Sequence, residues 1–330
     1  MTMTNPLPVQ TAPGKPPLVL ADCGPDAEGW IAHHRSALRG AIAHYGALLV
    51  RGLGLRDHDR VAAVFRLVGG ELIPEREAFA PRERFPSGVQ STTPWPANQQ
   101  MCMHHEQSFA TAVPGLMMFA CLTAPTSGGA TGVADGAAVL NALPRGLVER
   151  FDREGWVLAR NYTDEIGASF VDAFGSADHH AIEAYCRANA IEFQWQPDGG
   201  LRTWQRRAAV LTHSGTGRRS WFNQIAFLSE WTMDLDVREF LVDTYGPQGL
   251  PFTTLFGSGE PVGKQVVDLI ADVYTAHTMS EAWRPGDLLL VDNLRCAHSR
   301  DPFEGQREVL VGMAEPVRPP LPGPLPGRPA

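Results

Sequence analysis

The chain has 330 residues, of which 44% are hydrophobic, so it is long enough to bury a large core in one domain or in two smaller ones. Its formal net charge of −8 argues against a nucleic-acid partner, and no apolar run reaches the roughly 18 residues that a membrane-spanning helix needs. The five cysteines show no paired spacing and residues 1–6 lack a basic and apolar signal pattern, so we expect reduced thiols and a cytoplasmic location.

The first third of the chain contains two predicted helices and one predicted strand. A polar, proline-rich lead over residues 1–17 is expected to be flexible. Apolar residues recur at helical spacing over 27–45, and a second helical pattern over 57–68 starts at an aspartate of the kind that caps helices. Between them the apolar run 47–52 is typical of a buried strand, and a long loop over 73–100 follows.

The middle and the end of the chain combine short helices with short strands. Residues 116–122 form an apolar run typical of a strand, and Asp135 is placed to cap a short helix over 136–143 that ends before Pro144. A further helix is predicted over 178–190. Four later runs have the composition of strands, and they are 208–212, 220–226, 287–291 and 308–313.

Nothing in the sequence marks a domain boundary or an internal repeat, so one domain is predicted over residues 18–316. Helices early and in the middle, with short strands later, favour an α+β fold. The segment 317–330 is rich in proline and is expected to be a mobile polyproline tail. A non-enzymatic alternative remains open, in which the chain is a scaffold that displays residues 318–322 to a polyproline-binding partner.

His104 and Glu106 are separated by one residue, and a third candidate ligand, His298, follows an apolar run with a polar end. In an extended strand residues two apart point to the same side, whereas a helix would separate them by about 200°, so the pair needs a strand or its end. Two imidazoles and one carboxylate can occupy one face of a ferrous ion and leave positions open for a cosubstrate and O2. This arrangement predicts oxidation of an unactivated C–H bond.

A pattern as short as His-x-Glu also occurs by chance, so the surrounding sequence must show whether it marks a metal site. His105 is the rival of His104, but strand alternation points it to the opposite side of the strand. His179 and His180 lie near a predicted helix start and are expected to be exposed, and His213 is expected to pack against a turn. Three such ligands with a water would also suit a zinc hydrolase, which is the alternative enzyme.

Four ordered phrases of the sequence match a known pattern. They are His-x-Glu-x-Ser-Phe at 104–109, a Cys…Pro…Gly-Gly-x-Thr phrase at 121–131, Thr-Gly…Trp-Phe-Asn-Gln at 216–224, and Asp-Asn…His-x-Arg-x-Pro-Phe-x-Gly-x-Arg at 292–307. Through them the chain resembles the taurine-dioxygenase-like and clavaminate-synthase-like Fe(II)/2-oxoglutarate oxygenases. Within that family the resemblance is strongest to the amino-acid β-hydroxylases that accompany nonribosomal peptide assembly.

The resemblance implies a distorted jelly roll, the double-stranded β-helix, with flanking helices and a long insertion. It also implies that His104, Glu106 and His298 bind Fe(II), with 2-oxoglutarate as cosubstrate and O2 as oxidant. The expected reaction is hydroxylation of an aliphatic carbon, at Cβ, of an amino acid or an amino-acid-derived natural-product precursor, with release of succinate and CO2. Two questions remain open: whether the same cofactors instead drive desaturation or cyclisation, and whether the substrate is free or tethered to a carrier protein.

The far carboxylate of 2-oxoglutarate needs a cation, and arginine suits it because a guanidinium can donate two hydrogen bonds to a carboxylate. The resemblance implies that Arg307 is this anchor and that the hydroxyl of Thr131 also binds oxoglutarate. Arg295 and Arg300 are the competing arginines, and Val311 stands where taurine dioxygenase carries its own anchor. Arg307 is expected to begin a strand that pairs back against the strand of His298.

The substrate pocket is expected to contain polar side chains that hold the carboxylate and the ammonium group of an amino acid. The candidates are Gln100, Gln107, Ser108, Arg160, Asn161 and Asn223. Residues around 161–164 are expected to form a lid over this pocket.

Overall fold

The computed structural model describes residues 7–75, 77, 79, 82–163 and 165–323. Its helices are α1 (Ala27–Tyr45), α2 (His58–Gly69), α3 (Gly136–Ala142), α4 (Arg145–Glu154), α5 (Phe170–Phe174), α6 (His179–Ala188), α7 (Leu235–Tyr245) and α8 (Lys264–Ala276). Its strands are β1 (Leu18–Leu20), β2 (Ala47–Arg51), β3 (Gln90–Ser91), β4 (Met101–His104), β5 (Val113–Thr123), β6 (Ser127–Gly128), β7 (Val133–Asp135), β8 (Trp156–Tyr162), β9 (Ile191–Trp195), β10 (Leu201–Arg207), β11 (Val210–Thr212), β12 (Arg219–Trp221), β13 (Phe252–Phe256), β14 (Leu288–Asp292), β15 (Cys296–Arg300), β16 (Phe303–Glu304) and β17 (Glu308–Val317).

The largest sheet has six strands in the order β1-β2-β14-β5-β17-β3. Strands β1 and β2 are parallel, and every other neighbouring pair is antiparallel. Side chains alternate between the two faces of the sheet. On one face Leu48 and Leu290 pack against helices α1 and α2, and on the other face Leu49 and Leu289 join a separate core.

A second sheet lies against that other face. It has three strands in the order β4-β15-β7, and its residues Val133 and Cys296 belong to the same buried cluster as Leu49 and Leu289. Two sheets that face each other across one core form the distorted jelly roll that the sequence resemblance implied. Because helices α1 and α2 cover the outer face of the large sheet, the predicted α+β class is also confirmed.

Residues between β7 and β14 in the sequence form the long insertion. Its four-stranded sheet has the order β13-β8-β10-β9. Trp156 and Phe256 of this sheet share a buried cluster with Met103 of β4 and Ala297 of β15. The insertion therefore packs on the three-stranded sheet, next to the strands that carry the candidate ligands.

Several predicted elements lie close to their expected positions. Helices α1, α2, α3 and α6 begin and end within two residues of the predicted bounds, and the Asp135 side chain accepts hydrogen bonds from the N–H groups of Ala137 and Ala138 as the N-cap of α3. The strand predicted over 220–226 was wrong beyond Trp221. There the Asn223 side chain bonds the carbonyl of Ala209 and the N–H of Ile225, and these bonds divert the chain into a turn.

Residues just outside both ends of the predicted domain, 18–316, contact its core or continue its last strand. Leu7 and Val9 pack against the cluster beneath α1, and the backbone of Gln10 pairs with that of Leu18. Strand β17 continues to Val317. Residues 1–6 of the predicted lead and 324–330 of the predicted tail lie outside the described residues. No helix in the described part of the chain is long and apolar enough to cross a membrane.

Candidate metal centre and its two cavities

The antiparallel pairing of β4 with β15 brings the candidate ligands together. His104, the last residue of β4, lies directly opposite His298 in β15, and Glu106 lies in the turn after β4. All three residues are buried, and their ligand atoms lie within 4.8 Å of one another. Within the described residues this is the only group of three or more His, Cys, Asp or Glu side chains that meets this distance. The pair His104 and Glu106 thus occupies a strand end, as its spacing required.

The turn that carries Glu106 is held by Asn293. The Asn293 side-chain oxygen accepts a hydrogen bond from the Glu106 N–H at 2.8 Å, and its Nδ2 donates to the Glu106 carbonyl at 3.0 Å and to the Pro114 carbonyl at 2.8 Å. Gln107 then adopts a positive φ of 53°, so the chain reverses directly after Glu106. The sequence places Asn293 in a motif but does not by itself show this role.

The imidazole of His104 is held in the form that binds a metal. Its Nδ1 lies 2.8 Å from the Cys102 carbonyl, so this nitrogen carries the proton and Nε2 keeps a free lone pair. Burial, and after it the nearby ring of His298, lowers the pKa of His104 to about 3, which keeps the ring neutral. The ring stacks on Phe227 with centroids 4.3 Å apart. His298 Nε2 lies 3.6 Å from a carboxylate oxygen of Glu106.

Glu106 is paired with an arginine that the sequence patterns did not indicate. Arg82 Nη2 lies 3.2 and 3.1 Å from the two oxygens of Glu106, and Arg82 Nε donates to Thr93 Oγ1 at 2.9 Å. Burial would raise the pKa of Glu106, but the charge of Arg82, together with the adjacent His298 ring, outweighs it and holds the pKa well below its usual range. The carboxylate is therefore ionised, which is the form that binds a metal.

A second carboxylate, that of Glu75, lies 3.6 Å from Arg82 Nε. Burial raises the pKa of Glu75 to about 7, although the charge of Arg82 opposes this shift. Arg82 Nη1 is buried and has no hydrogen-bond partner within the described residues. No periodic pattern marks either residue. The only signal in the sequence is that both lie in the long loop that precedes the first ligand strand.

The ligand set suits a divalent metal ion. Two imidazoles and one carboxylate are used by non-haem iron enzymes and by zinc hydrolases, and here the neutral ring of His104 and the ionised Glu106 already have the required protonation. His105 does not join this set. Its Nδ1 lies 2.6 Å from the Asn293 carbonyl and its ring packs beside Phe222, on the opposite side from the ligands.

Two cavities meet at this centre, with volumes of about 190 Å³ and about 30 Å³. The residues that line both are Arg82, Thr93, Met101, His104 and Glu106. The larger cavity is walled mainly by apolar and aromatic side chains, which include Phe79, Trp95, Phe109, Phe227, Leu228 and Phe252. The smaller cavity is completed by residues from the other side of the centre, which include Thr131, His298, Ser299, Arg300 and Arg307.

The three candidate anchoring arginines have different partners. Arg295 donates to the Ala43 carbonyl at 2.6 Å and to the Asp135 carboxylate at 3.1 Å. Arg300 donates to three carbonyls of residues 95–99, so it braces the loop before β4. Among the described residues Arg307 donates only from Nε, to the Gly129 carbonyl at 3.0 Å, and no described carboxylate pairs with it.

The environment of Arg307 is unfavourable for an unpaired cation. Burial, and after it the charge of Arg300, lowers the pKa of Arg307 to about 10. Thr131 is buried and lines the same small cavity. The expectation that strand β17, directly after Arg307, pairs with the strand of His298 was wrong. Strand β17 pairs with β5 and β3 in the six-stranded sheet, and Arg307 reaches the small cavity from there.

The candidate substrate residues divide into two groups. Arg160 and Asn161 line the larger cavity, although Asn161 Nδ2 is engaged by the carbonyls of Gln248 and Leu250 and belongs to strand β8 rather than to a lid. Asp164, in the expected lid, lies outside the described residues. Ser108 does not line the cavity, but it donates to Oε1 of Gln224, which does.

The remaining three candidates do not line the larger cavity. Gln100 is exposed. Gln107 points its amide toward the sulfur of Met313 at 3.7 Å, because its positive φ turns the chain away from the ligands. The side-chain amide of Asn223 is hydrogen-bonded within the turn after β12. Local hydrogen bonding thus replaces the substrate contact that the sequence suggested for Gln107 and Asn223.

The family model described as taurine catabolism dioxygenase TauD, TfdA family matches residues 15–314. The chain belongs to this family. The dapdiamide synthesis protein DdaC of Enterobacter agglomerans is 32% identical over 278 residues, which cover 84% of each chain. The clavaminate synthase-like protein At3g21360 of Arabidopsis thaliana is 25% identical over 282 residues, which cover 82% of each chain.

Solved structures share the fold at low sequence identity. One is PvcB, described as an Fe, alpha-ketoglutarate dependent oxygenase from an isonitrile synthetic pathway, with a TM-score of 0.56, 14% identity and coverage of 95% of this chain and 94% of the other. Another is AAD-2 in complex with Mn(II) and N-oxalylglycine, with a TM-score of 0.52, 14% identity and coverage of 95% and 98%. At this level of identity the likeness concerns the fold.

Membership of the family confirms the resemblance found in the four sequence phrases. The chain is a 2-oxoglutarate-dependent non-haem iron dioxygenase, with Fe(II) as its metal, 2-oxoglutarate as its cosubstrate and O2 as its oxidant. The zinc hydrolase and the non-enzymatic scaffold are therefore set aside.

Proposed function

We propose that this enzyme hydroxylates an aliphatic carbon, at Cβ, of an amino acid or of an amino-acid-derived natural-product precursor, with release of succinate and CO2. The observation that carries the proposal is the position of His104, Glu106 and His298 between two cavities of different character. The smaller cavity contains a half-buried arginine, Arg307, that no described carboxylate pairs with, and the larger has mainly apolar walls. Cosubstrate and substrate can then reach one metal ion from two sides.

In this proposal His104 Nε2, His298 Nε2 and a carboxylate oxygen of Glu106 hold the iron. Fe(II) bound there supplies, together with oxoglutarate, the activation of O2 and the oxidation of a C–H bond. The protein keeps the His104 ring neutral and Glu106 ionised, and it fixes the orientation of both residues. The Cys102 carbonyl fixes the tautomer of His104, and Asn293 fixes the backbone of Glu106.

Arg307 and Thr131 are proposed to bind the oxoglutarate. The terminal nitrogens of Arg307 make no hydrogen bond to a described residue, so they can donate to the far carboxylate as a pair. That carboxylate would offset the cost of burying the guanidinium. Thr131 lines the same cavity and supplies a hydroxyl donor.

The larger cavity is proposed to hold the substrate. Its aromatic walls fit an aliphatic or aromatic side chain, and the ring of Phe227 against His104 places this wall directly beside the proposed metal ligands. A relative that is named for dapdiamide synthesis supports a role in natural-product formation. Charged groups on the cavity wall support an amino acid as the substrate.

A screen of the twenty amino acids tests this proposal. Protein loaded with Fe(II) and oxoglutarate is mixed with each amino acid in air, and succinate and the amino-acid products are measured by mass spectrometry. We expect at least one amino acid to stimulate succinate formation and to gain one oxygen atom. A product that has lost two hydrogens would replace hydroxylation by desaturation. Succinate formation that no amino acid stimulates would contradict the proposed substrate class.

A further inference from the structure

Glu75 and Arg82 place a carboxyl group and a guanidinium on the wall of the larger cavity, beside the candidate metal ligands. Arg82 Nε and a Glu75 oxygen lie 3.6 Å apart, and the two side chains are only 6% and 11% exposed, the arginine being the lower. The rest of the wall is mainly aromatic and aliphatic. A ligand that fills this cavity therefore meets a guanidinium and a carboxyl group in largely apolar surroundings.

Arg160, the second arginine of the cavity, is compensated by a different carboxylate. Its Nη1 donates to the Glu77 carbonyl at 2.9 Å, and its guanidinium lies 3.7 Å above the ring of Phe79. The Glu77 carboxylate is buried, accepts hydrogen bonds from Tyr185 and Gln205, and interacts with the charge of Arg160. This leaves Glu75 and Arg82 as the charged pair that a ligand in the cavity can use.

One donor nitrogen of Arg82 has no hydrogen-bond acceptor among the described residues. Its Nη2 is engaged by Glu106 and its Nε by Thr93, while Nη1 is buried without a partner in the described part of the chain. The indole N–H of Trp95 on the same wall is likewise buried without a described partner. Buried donors without acceptors are costly. Both groups therefore favour a ligand that brings acceptor oxygens to this side of the cavity.

We propose that Arg82 binds the α-carboxylate and Glu75 the α-ammonium group of a free apolar amino acid, whose side chain lies against the aromatic wall. This inference rests on the proposed function and narrows its substrate class. Guanidinium with carboxylate, and carboxylate with ammonium, form charge-assisted hydrogen bonds. A carrier-tethered substrate has a thioester in place of the carboxylate, so it would leave Arg82 without its anion.

Calorimetric titration under anaerobic conditions tests the inference. The protein holds Fe(II) and oxoglutarate, and the probes are L-leucine, L-methionine and L-phenylalanine. The amide of each probe lacks the carboxylate, and its N-acetyl derivative lacks the ammonium group. We expect at least one probe to bind, and its amide and N-acetyl derivative to bind about 10- to 150-fold more weakly, the loss typical of one charge-assisted pair.

Variants assign each half of the probe to a residue. Arg82→Gln should weaken binding of the amino acid by a similar factor and leave binding of its amide unchanged. The affinity of Arg82→Lys for the amino acid should fall between those of Arg82→Gln and the wild type, because lysine keeps the charge but cannot donate two parallel hydrogen bonds. Glu75→Gln should weaken binding of the amino acid and leave binding of its N-acetyl derivative unchanged. Arg56→Gln and Glu83→Gln, at exposed positions outside the cavity, should bind all probes as the wild type does.

The absorption band of the Fe(II)–oxoglutarate complex is recorded for every sample. A wild type without the band would remove the proposed function and this inference together. If the band is present, the inference alone is wrong when none of the three probes binds, or when Arg82→Gln weakens an amino acid and its amide equally. If Arg82→Gln lacks the absorption band, the titrations are made with Arg82→Lys instead. If Arg82→Lys then prefers the amino acid over its amide as strongly as the wild type does, Arg82 does not bind the carboxylate.

Discussion

The three arginines that compete for the role of oxoglutarate anchor differ in what they already bind. Arg295 and Arg300 are engaged by a carboxylate and by carbonyls, whereas the terminal nitrogens of Arg307 have no hydrogen bond to a described residue. Arg307→Gln should therefore weaken oxoglutarate binding by about 10- to 150-fold, which corresponds to about 1.5–3 kcal/mol for a charge-assisted pair. Fe(II) affinity should stay nearly unchanged, because Arg307 is not among the metal-ligand candidates.

Anaerobic titration of oxoglutarate into the Fe(II)-loaded protein measures this effect, and Arg295→Gln and Arg300→Gln serve as matched controls. Both controls should retain oxoglutarate affinity, with any loss appearing in stability. Normal affinity in Arg307→Gln, together with a loss in either control, would assign the anchor to the other arginine.

The two adjacent histidines should respond differently to substitution. His104→Ala removes one of the three proposed ligands and should abolish Fe(II) binding, as should His298→Ala. His105→Gln should keep Fe(II), because the His105 ring faces Phe222 and the Asn293 carbonyl. Equilibrium dialysis with Fe(II) distinguishes them. Retention of iron by His104→Ala and its loss in His105→Gln would reverse the ligand assignment.

At the scale of elements, the turn after β4 depends on one side chain from the end of β14. Asn293→Ala removes three hydrogen bonds and leaves the buried backbone groups of Glu106 and Pro114 without partners. We expect the free energy of unfolding to fall by at least about 2 kcal/mol and Fe(II) to bind more weakly. Urea unfolding and Fe(II) titration measure the two effects.

Asn141→Ala, at an exposed position of α3, is the control for this change. It should alter neither the unfolding free energy nor Fe(II) affinity by a measurable amount. If Asn293→Ala matches this control in both measurements, Asn293 does not hold the ligand turn.

Elements with a clear local pattern were predictable, and elements without one were not. Helix α1 and strand β5 follow from apolar spacing, and the cap of α3 follows from Asp135. Strand β8 was missed because nearly all of its residues are buried, so it lacks the alternation that marks a strand with one exposed face. The strand assigned to 220–226 ended early because the Asn223 side chain competes with the sheet for backbone hydrogen bonds.

At the scale of the whole molecule, the candidate centre joins segments that are far apart in sequence. The motif phrases indicated His104, Glu106, His298 and Arg307, because each lies in a recognisable local pattern. The ion pair of Arg82 with Glu106 could not be predicted in this way. It exists because the fold lays the loop before β4 across the cavity, and no local spacing records that contact. The same limit applies to Glu75, whose importance follows only from its position beside Arg82.

The central claim is that this chain couples oxoglutarate oxidation to hydroxylation of an amino acid. Turnover under ¹⁸O2 tests it most directly, with the amino acid that best stimulates succinate formation and with mass spectrometry of both products. We expect one labelled oxygen atom in succinate and the other in the hydroxylated amino acid, because a dioxygenase distributes both atoms of O2 between its two products. Labelled succinate beside an amino-acid product without label would contradict hydroxylation, and unlabelled succinate would contradict the oxygenase reaction itself.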